Sequence, residues 1–410
     1  MRRIAASPQA FGAAMQIGAE GLDFQEVLPM SSSAAELPQL MTTTIDPAVQ
    51  SRMISDLPSR RGEVCQIDPL KDNRWDSFVA HHPRASLFHC SAWLRALQKT
   101  YGYRPVAFSF SAPGEALQGA LLFCEVDSWL TGRRLVSLPF SDHCEPLLSG
   151  ADYRSLVSAL ERKSSSAGWR YIEVRPLNSR DVDSARWHTS ANYLFHRLNL
   201  RPDLDLLFRG FHQSSTQRKV RRAEREGLQY REGSSESLFN HFYRLLVATR
   251  KRHGIPPQPR NWFRNLMESF GADLKIRLAF RGERAVAGML TIRHKDTLYY
   301  KNGGSDARFH SLGGMHLLFW NAIQDAKSQG LTALDFGRVD MDQPGLITFK
   351  NRWGAVASPL PYYRFSSGEV PVHAFDPANT FQRRLIDVFC SHSPSFLLPA
   401  CGSLLYRHIG

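Results

Sequence analysis

The chain has no CxxC pair and no apolar run near the ~20 residues that span a bilayer. Its six cysteines (Cys65, Cys90, Cys124, Cys144, Cys390 and Cys401) are scattered, which argues against a structural zinc site and a dense disulfide framework. They read as free thiols of a reducing compartment. A convincing leader is missing too, since "IAASPQAFGAAM" after Arg2 and Arg3 is weakly apolar and broken by Pro8 and Gly12. A cytoplasmic location is expected, the inner face of the membrane included. Negative charge is also short: 38 acidic residues stand against 51 basic ones, for a formal +13. That surplus favours anionic partners such as phosphorylated small molecules, RNA or an acidic membrane surface, without choosing among them.

What is present is enough for two domains: 410 residues, 43% hydrophobic and 22% charged. Residues 1–62 are rich in small and polar residues without a sustained period and read as a disordered extension. From about residue 65 the pattern becomes globular. "NRWDSFVAHHP" and "SAWLRALQKTYG" read as helices, the second with Ser91 at its N-cap and Gly102 at its end. The strand-like runs "RPVAFSF", "QGALLFCEV" and "RRLVSLPF" follow, then the helix "YRSLVSALERKSSSAG" and the strands "WRYIEVRP" and "ANYLFHRLNL". A second block repeats this order. Helices at 214–227, 235–252 and 260–271 precede the strands "LKIRLAF", "RAVAGMLTIRH" and "TLYYKNGGS". The helix "GMHLLFWNAIQDAKSQG" and the strand "TALDFGR" close it. The repeated order predicts an α+β protein of two similarly built domains, at 63–204 and 205–366, with a C-terminal helical tail at 367–410.

Three segments carry candidate chemistry. In "SSTQRKVRRAEREG", Ser214 and Gln217 resemble a capping box, and Arg218, Arg222 and Arg225 share one helix face. Guanidinium groups bind phosphate through paired hydrogen bonds, so this stripe and Lys219 suit a diphosphate or an RNA backbone. A solvated helix tempered by Glu224 and Glu226 is the alternative. Gly313 and Gly314 lead into a helix start, where free N–H groups attract phosphate or carboxylate; a plain flexible loop is the other reading.

In "LDFGRVDMDQPGLITFKNRWG", Asp335 faces away from Leu334 and Phe336. Arg338 and Asp340 lie at the carboxyl end of a strand, where open sheets bind ligands. The Pro344-Gly345 turn is expected to return Lys350 and Trp353 over that edge. Asp335 and Arg338 as a structural pair, with Trp353 in the core, is the competing reading. In "LVSLPFSDHCEPLL", Asp142 belongs to a candidate substrate-lining loop. A Cys144–His143 nucleophile is disfavoured because adjacent strand residues point apart.

The run "YYKNGGSDARFHSLGGMHLLFWNAIQDAKSQGLTALDFGRVDMDQPGLITFKNRWGA" resembles the C-terminal half of FemAB-like acyltransferases, a group that takes in CelD- and BioF-type members. Their pattern is a Tyr-Lys-x-Gly/Ala-Ser strand, a "HLLxWxAI" helix, a "DFGRS" strand and "GLxxFKxxWGA". Tyr300, Lys301, Ser305, His316, Trp320, Asp335, Arg338, Gly345, Phe349, Lys350, Trp353 and Gly354 match it. "RKVRRAEREG", "FHCSAWLRALQKTYGY" and "LVSLPFSD" are similar to further signatures, so the resemblance covers about 65–365. Two departures are Gly313-Gly314, where many relatives have Pro-Asn, and Val339, where Ser is usual.

The resemblance implies tandem GNAT-type N-acetyltransferase-like domains. It also implies acyl or aminoacyl transfer to an amine of a cell-envelope precursor, of peptidoglycan or exopolysaccharide type. The donor would be aminoacyl-tRNA or acyl-CoA, with no tightly bound cofactor and no metal. Phosphorylated or lipid-linked acceptors and charged tRNA are the implied partners, DNA is not, and peripheral membrane association fits. On this reading Lys350 contacts a donor phosphate or the oxyanion, Asp335 orients Arg338 or the acceptor amine, and Trp353 shields the site. Arg218, Lys219, Arg222, Tyr300, Lys301, Asp142 and Asp340 bind substrate, and Gly313 and Gly314 contact the donor. Two rivals are an acyl-CoA-dependent N-acetyltransferase of polysaccharide synthesis and a non-catalytic RNA- or envelope-binding protein.

Overall fold

A computed structural model describes residues 63–178, 182, 186–366 and 397–409. The expected extension at 1–62 and most of the tail lie outside the described residues. The first half supplies β1 (Cys65–Ile67), β2 (Arg104–Ser109), β3 (Leu121–Val126), β4 (Arg134–Val136) and β5 (Ile172–Val174). The second half supplies β7 (Gln229–Gly233), β8 (Leu274–Arg281), β9 (Arg284–His294), β10 (Thr297–Ser305) and β11 (Ala333–Asp340). In each half the first four strands are antiparallel neighbours and the fifth runs parallel to the fourth. A parallel step needs a crossover, and helices α3 (Gly150–Ser164) and α8 (Gly314–Ser328) provide it. The repeated element order in the sequence is therefore a repeated topology.

Two long strands join the halves into one twelve-stranded sheet: β6 (His188–Asn199) and β12 (Val356–Phe365). They pair antiparallel with each other, β6 also pairs with β11, and β12 pairs with β5. The strand that follows β5 in the chain thus serves the second half, and the strand that follows β11 serves the first. The expected boundary near residue 204 falls just after this exchanged strand.

Strand alternation sorts the second half into two faces. On one face Leu298, Tyr300, Leu334 and Phe336 are buried with residues of α8, α4 (Leu204–Gly210), α5 (Arg218–Arg225) and α9 (Pro344–Asn351). On the other, Tyr299 packs with Phe88, Trp75 of α1 (Trp75–His81), Trp93 of α2 (Ser91–Tyr101), α6 (Glu236–Arg252) and α7 (Arg260–Phe270). This second cluster draws on both halves, so the seam between them is a core. Gly304 permits the close approach of α6: a Cβ there would lie 2.7 Å from the carbonyl carbon of Leu245. Among the described tail residues, α10 (Leu398–Ile409) is docked, with the Tyr103 hydroxyl donating to the Tyr406 carbonyl (2.5 Å) and the Tyr406 hydroxyl to that of Pro256 (2.8 Å).

Three local expectations are corrected. Ser91 is the first residue of α2, with Cys90 at its N-cap. Ser214 and Gln217 form no capping box: Gln213–Gln217 is a π-helical turn, and the Gln217 amide donates to the carbonyl of Phe211 at 2.8 Å. Pro344-Gly345 does not turn the chain back but opens α9, because proline at the first helical position lacks only an N–H that would be unpaired anyway.

Candidate active site at the seam

The parallel strands β10 and β11 pair only from Thr297–Ala333 to Tyr299–Asp335, although both run on, to Ser305 and Asp340. Beyond Tyr299 and Asp335 they part, and a buried charged cluster gathers there. Lys301 Nζ lies 2.7 Å from the carboxylate of Asp142, both buried, and sits over the rings of Phe88 (4.6 Å) and Trp93 (5.3 Å). Ions this deep are held only if paired, and removing one partner typically costs ~3–5 kcal/mol. Asp335 accepts the N–H of Gly337 (2.6 Å), and its other carboxylate oxygen is 3.4 Å from His143 Nε2. Arg338 spans the rings of Tyr193 and Tyr362 and donates to the Tyr362 hydroxyl, which donates to the Asp142 carbonyl at 2.6 Å. Asp340 is buried at the end of β11, opposite Tyr193.

Lys350 is placed differently from expectation. It is buried, and its Nζ donates to the carbonyls of Phe336 (2.7 Å), Gly337 (3.1 Å) and Arg338 (3.1 Å) at the β11 irregularity. This geometry does not suit a phosphate ligand on the surface. Burial pushes the amine down to about 7, while Asp142 and Asp335 pull it back up. It is a hydrogen-bonding brace behind the parting strands. Trp353 is likewise no lid: it is fully buried against Phe211 (4.9 Å), Phe319 (5.5 Å) and His316 (5.8 Å between ring centres). Tyr300 lies in the same helix-covered face, against Phe319, rather than among the seam charges. The expected Asp335–Arg338 partnership is replaced by two separate attachments, Asp335 to His143 and Arg338 to the tyrosines. Cys144 faces His89 (3.5 Å), and burial raises its thiol to about 12, which removes it as a nucleophile.

The phosphate-ready elements do come together. Arg218, Lys219, Arg222 and Arg225 of α5 line a groove of about 500 Å³ with Ser311 of the 3-10 turn that precedes α8. Gly313, at φ +78° on the N-cap of α8, sits so close to α5 that a Cβ would fall 2.4 Å from the Lys219 carbonyl oxygen. Gly314 is tight as well, though less so, a Cβ there meeting that of Ala287 at 3.0 Å. The start of α8 is thus packed beneath α5, and the groove itself is lined by the basic side chains, Ser311 and Glu226, the last 3.5 Å from Arg222, so the expected donor contact of Gly313 and Gly314 is replaced by packing.

Residues 211–350 match the family described as acetyltransferase (GNAT) domain. The chain is similar to FemX-type, GNAT-related proteins. A curated relative, the UDP-N-acetylmuramoylpentapeptide-lysine N(6)-alanyltransferase of Weissella viridescens, is 26% identical over 93 residues. The match takes in 22% of this chain and spans 28% of the length of that relative. Among solved structures, that of FemX aligns with a TM-score of 0.56 at 15% identity, covering 73% of this chain and 96% of its own. The likeness is one of fold, and it spans both halves of this FemAB-like sheet. Tyr193 and Tyr362 were not singled out in the sequence, and His143 was weighed only as the disfavoured partner of Cys144. Asp335 and His143 are separated by 192 residues, and only the "SDH" at the end of an apolar run hinted at the second of them.

Proposed function

We propose that this chain is an acyltransferase that moves an acyl or aminoacyl group from an activated donor directly to an amine of a cell-envelope precursor. The observation that carries the reading is the arrangement around β10 and β11. The strands part beside a buried charged cluster, and the helix that crosses between them begins under the basic helix whose arginines line a groove. A donor with phosphates fits that groove through Arg218, Lys219, Arg222 and Arg225. The similarity to an alanyltransferase and to the GNAT family supports the transfer chemistry.

In this mechanism the acceptor nitrogen attacks the donor carbonyl without a covalent enzyme intermediate, and alignment supplies much of the rate. Lys301, paired with Asp142, and Arg338, fixed by Tyr362, are the cations beside the reacting groups, where they stabilise charge developing on the carbonyl oxygen. Lys350 braces the β11 carbonyls. The two units, 63–204 and 205–366, act as one catalytic body because Asp142 comes from the first and Lys301 from the second. The chain works at the inner face of the membrane if its acceptor is lipid-linked. Among the described residues no helix is long and apolar enough to cross a bilayer.

Calorimetric titration at physiological ionic strength with acetyl-CoA, and in parallel with alanyl-tRNA, tests the donor. One-site binding of either, weakened by Arg218→Ala with Arg222→Ala, is expected. Transfer is then followed with a radiolabelled acyl group and a lysine-containing muropeptide precursor. Folded protein that binds neither donor and transfers nothing overturns the reading. RNA binding that falls steeply with salt, without turnover, would instead make the basic helix an RNA-binding element.

A further inference from the structure

A cavity of about 310 Å³ lies at the seam, over the paired starts of β10 and β11, and is lined by residues of both halves. Its walls include Tyr299 and Asp335, the last paired residues of the two strands, together with His143. The volume equals that of about ten water molecules at ~30 Å³ each, enough for an alkylamine side chain. Arg84, Arg197 and Lys295 line it beside Glu145, Asp296 and Asp335, so its wall offers charges of both signs to an acceptor that carries an ammonium group and a carboxylate.

His143 has an unusual environment for a buried histidine. It is clamped edge-on between the rings of Phe88 (5.1 Å) and Phe195 (5.2 Å). Nε2 faces the Asp335 carboxylate at 3.4 Å, while Nδ1 is buried with no hydrogen-bond partner. A carboxylate accepts only, so in the neutral imidazole the Nε2 position facing Asp335 carries the hydrogen. Nδ1 is then left with a free lone pair, buried behind the wall that His143 gives the cavity. Burial of such an atom without a partner is costly, and a ligand hydrogen would satisfy it.

Building on the acyl-transfer reading, we infer that this cavity receives the primary ammonium group of the acceptor and that His143 is the catalytic base that deprotonates it, with Asp335 as its positioning residue. The ammonium N–H bond breaks as its proton passes to Nδ1, giving a neutral amine and an imidazolium held by Asp335. The nitrogen lone pair forms the new N–C bond to the donor ester or thioester carbonyl. As the tetrahedral adduct collapses, the C–O or C–S bond breaks, and the leaving oxygen or sulfur takes the second nitrogen proton. His143 returns its proton to solvent.

The test uses the full chain with Nα-acetyl-lysine as amine probe. In protein labelled with nitrogen-15 histidine, with His143 assigned through His143→Gln, the Nε2–H tautomer is expected. A saturable shift of its Nδ1 resonance is expected on adding the probe, and a shift lost in Asp335→Asn. A resting Nδ1–H tautomer, or no response to the probe, overturns the inference without any reference to the donor. Transfer from acetyl-CoA and from alanyl-tRNA is then compared between Nα-acetyl-lysine and hydroxylamine, which is already unprotonated at neutral pH. His143→Gln should lower the ratio of the two kcat values by about 10²–10⁴-fold, the usual contribution of general base catalysis. Equal loss on both acceptors makes His143 structural and overturns its role as base. Undiminished transfer in His143→Gln overturns it too and leaves the acyl-transfer reading standing. A probe-responsive His143 with no transfer from either donor supports the amine site and overturns the transfer chemistry.

Discussion

Replacing Lys350 with methionine should remove a pH dependence from folding stability. Burial pushes the Lys350 amine down to about 7 in the folded chain, opposed by Asp142 and Asp335. In the unfolded chain a lysine titrates near ~10.4. Between those values the unfolded state binds a proton that the folded state does not, so stability rises with pH. The penalty is absent above the unfolded value and fully in force once the pH has fallen through the folded one. The slope approaches ~1.4 kcal/mol per pH unit, which integrates to about 2 kcal/mol between pH 7 and pH 9. Other groups titrate over the same range in both proteins, so the difference between wild type and Lys350→Met isolates this amine. The substitution also strips a donor from three carbonyls, at ~1–3 kcal/mol for each one left unsatisfied. That loss shifts the baseline and leaves the slope alone. Urea unfolding at pH 7, 8 and 9, followed by fluorescence of the buried Trp75, Trp93 and Trp262, measures the difference. If it stays flat across the range, Lys350 keeps an ordinary lysine pKa and the reasoning from burial fails.

Gly313→Ala should cost ~1–2 kcal/mol for the left-handed backbone alone, and more because Lys219 must move; a lower melting temperature together with weaker anion binding would be seen. Either Asp142→Ala or Lys301→Met should destabilise the chain by ~3–5 kcal/mol, and the double replacement by clearly less than the sum, as a double-mutant cycle in urea would read out. Additive losses would mean that the pair contributes no coupling. Removing Arg218 and Arg222 together should weaken tRNA binding and lower the slope of log affinity against log salt by about 2, one for each lost phosphate contact, as filter binding across a salt series would measure. An unchanged slope places the phosphates elsewhere.

The second half was legible where chemistry is local. Alternation in "LKIRLAF", "RAVAGMLTIRH" and "TLYYKNGGS" corresponds to three full strands, and the helix over 314–328 begins where Gly313 and Gly314 mark it. The basic stripe was also legible, because helical spacing alone puts Arg218, Arg222 and Arg225 on one face. What the sequence concealed depends on distant pairing. Asp142 and Lys301 stand 159 residues apart, and nothing periodic links them. Trp353 looks like a site residue when read beside Arg352, yet Phe211 and Phe319, brought by other elements, enclose it. Lys350 shows the same effect: a lysine after an apolar run reads as surface until the three carbonyls it serves are found on β11. The exchange of β6 and β12 had no local signal, since either strand would alternate identically beside any neighbour.

The two halves repeat a topology but not a use. In the second, the segment between β10 and α8 stays outside the strands and leaves a groove. In the first, the corresponding segment at 137–149 is buried almost throughout and runs beside β5, with the Cys144 N–H donating to the Arg175 carbonyl at 2.8 Å and Leu147 bridging to Ala120. The space that the parting of β4 and β5 would open is thus filled by the chain itself. That same segment carries Asp142 to Lys301 and His143 to Asp335. By closing its own opening, the first half places an acid and an imidazole against the opening of the second. This is why a duplicated fold here carries a single candidate centre, and why that centre requires both halves.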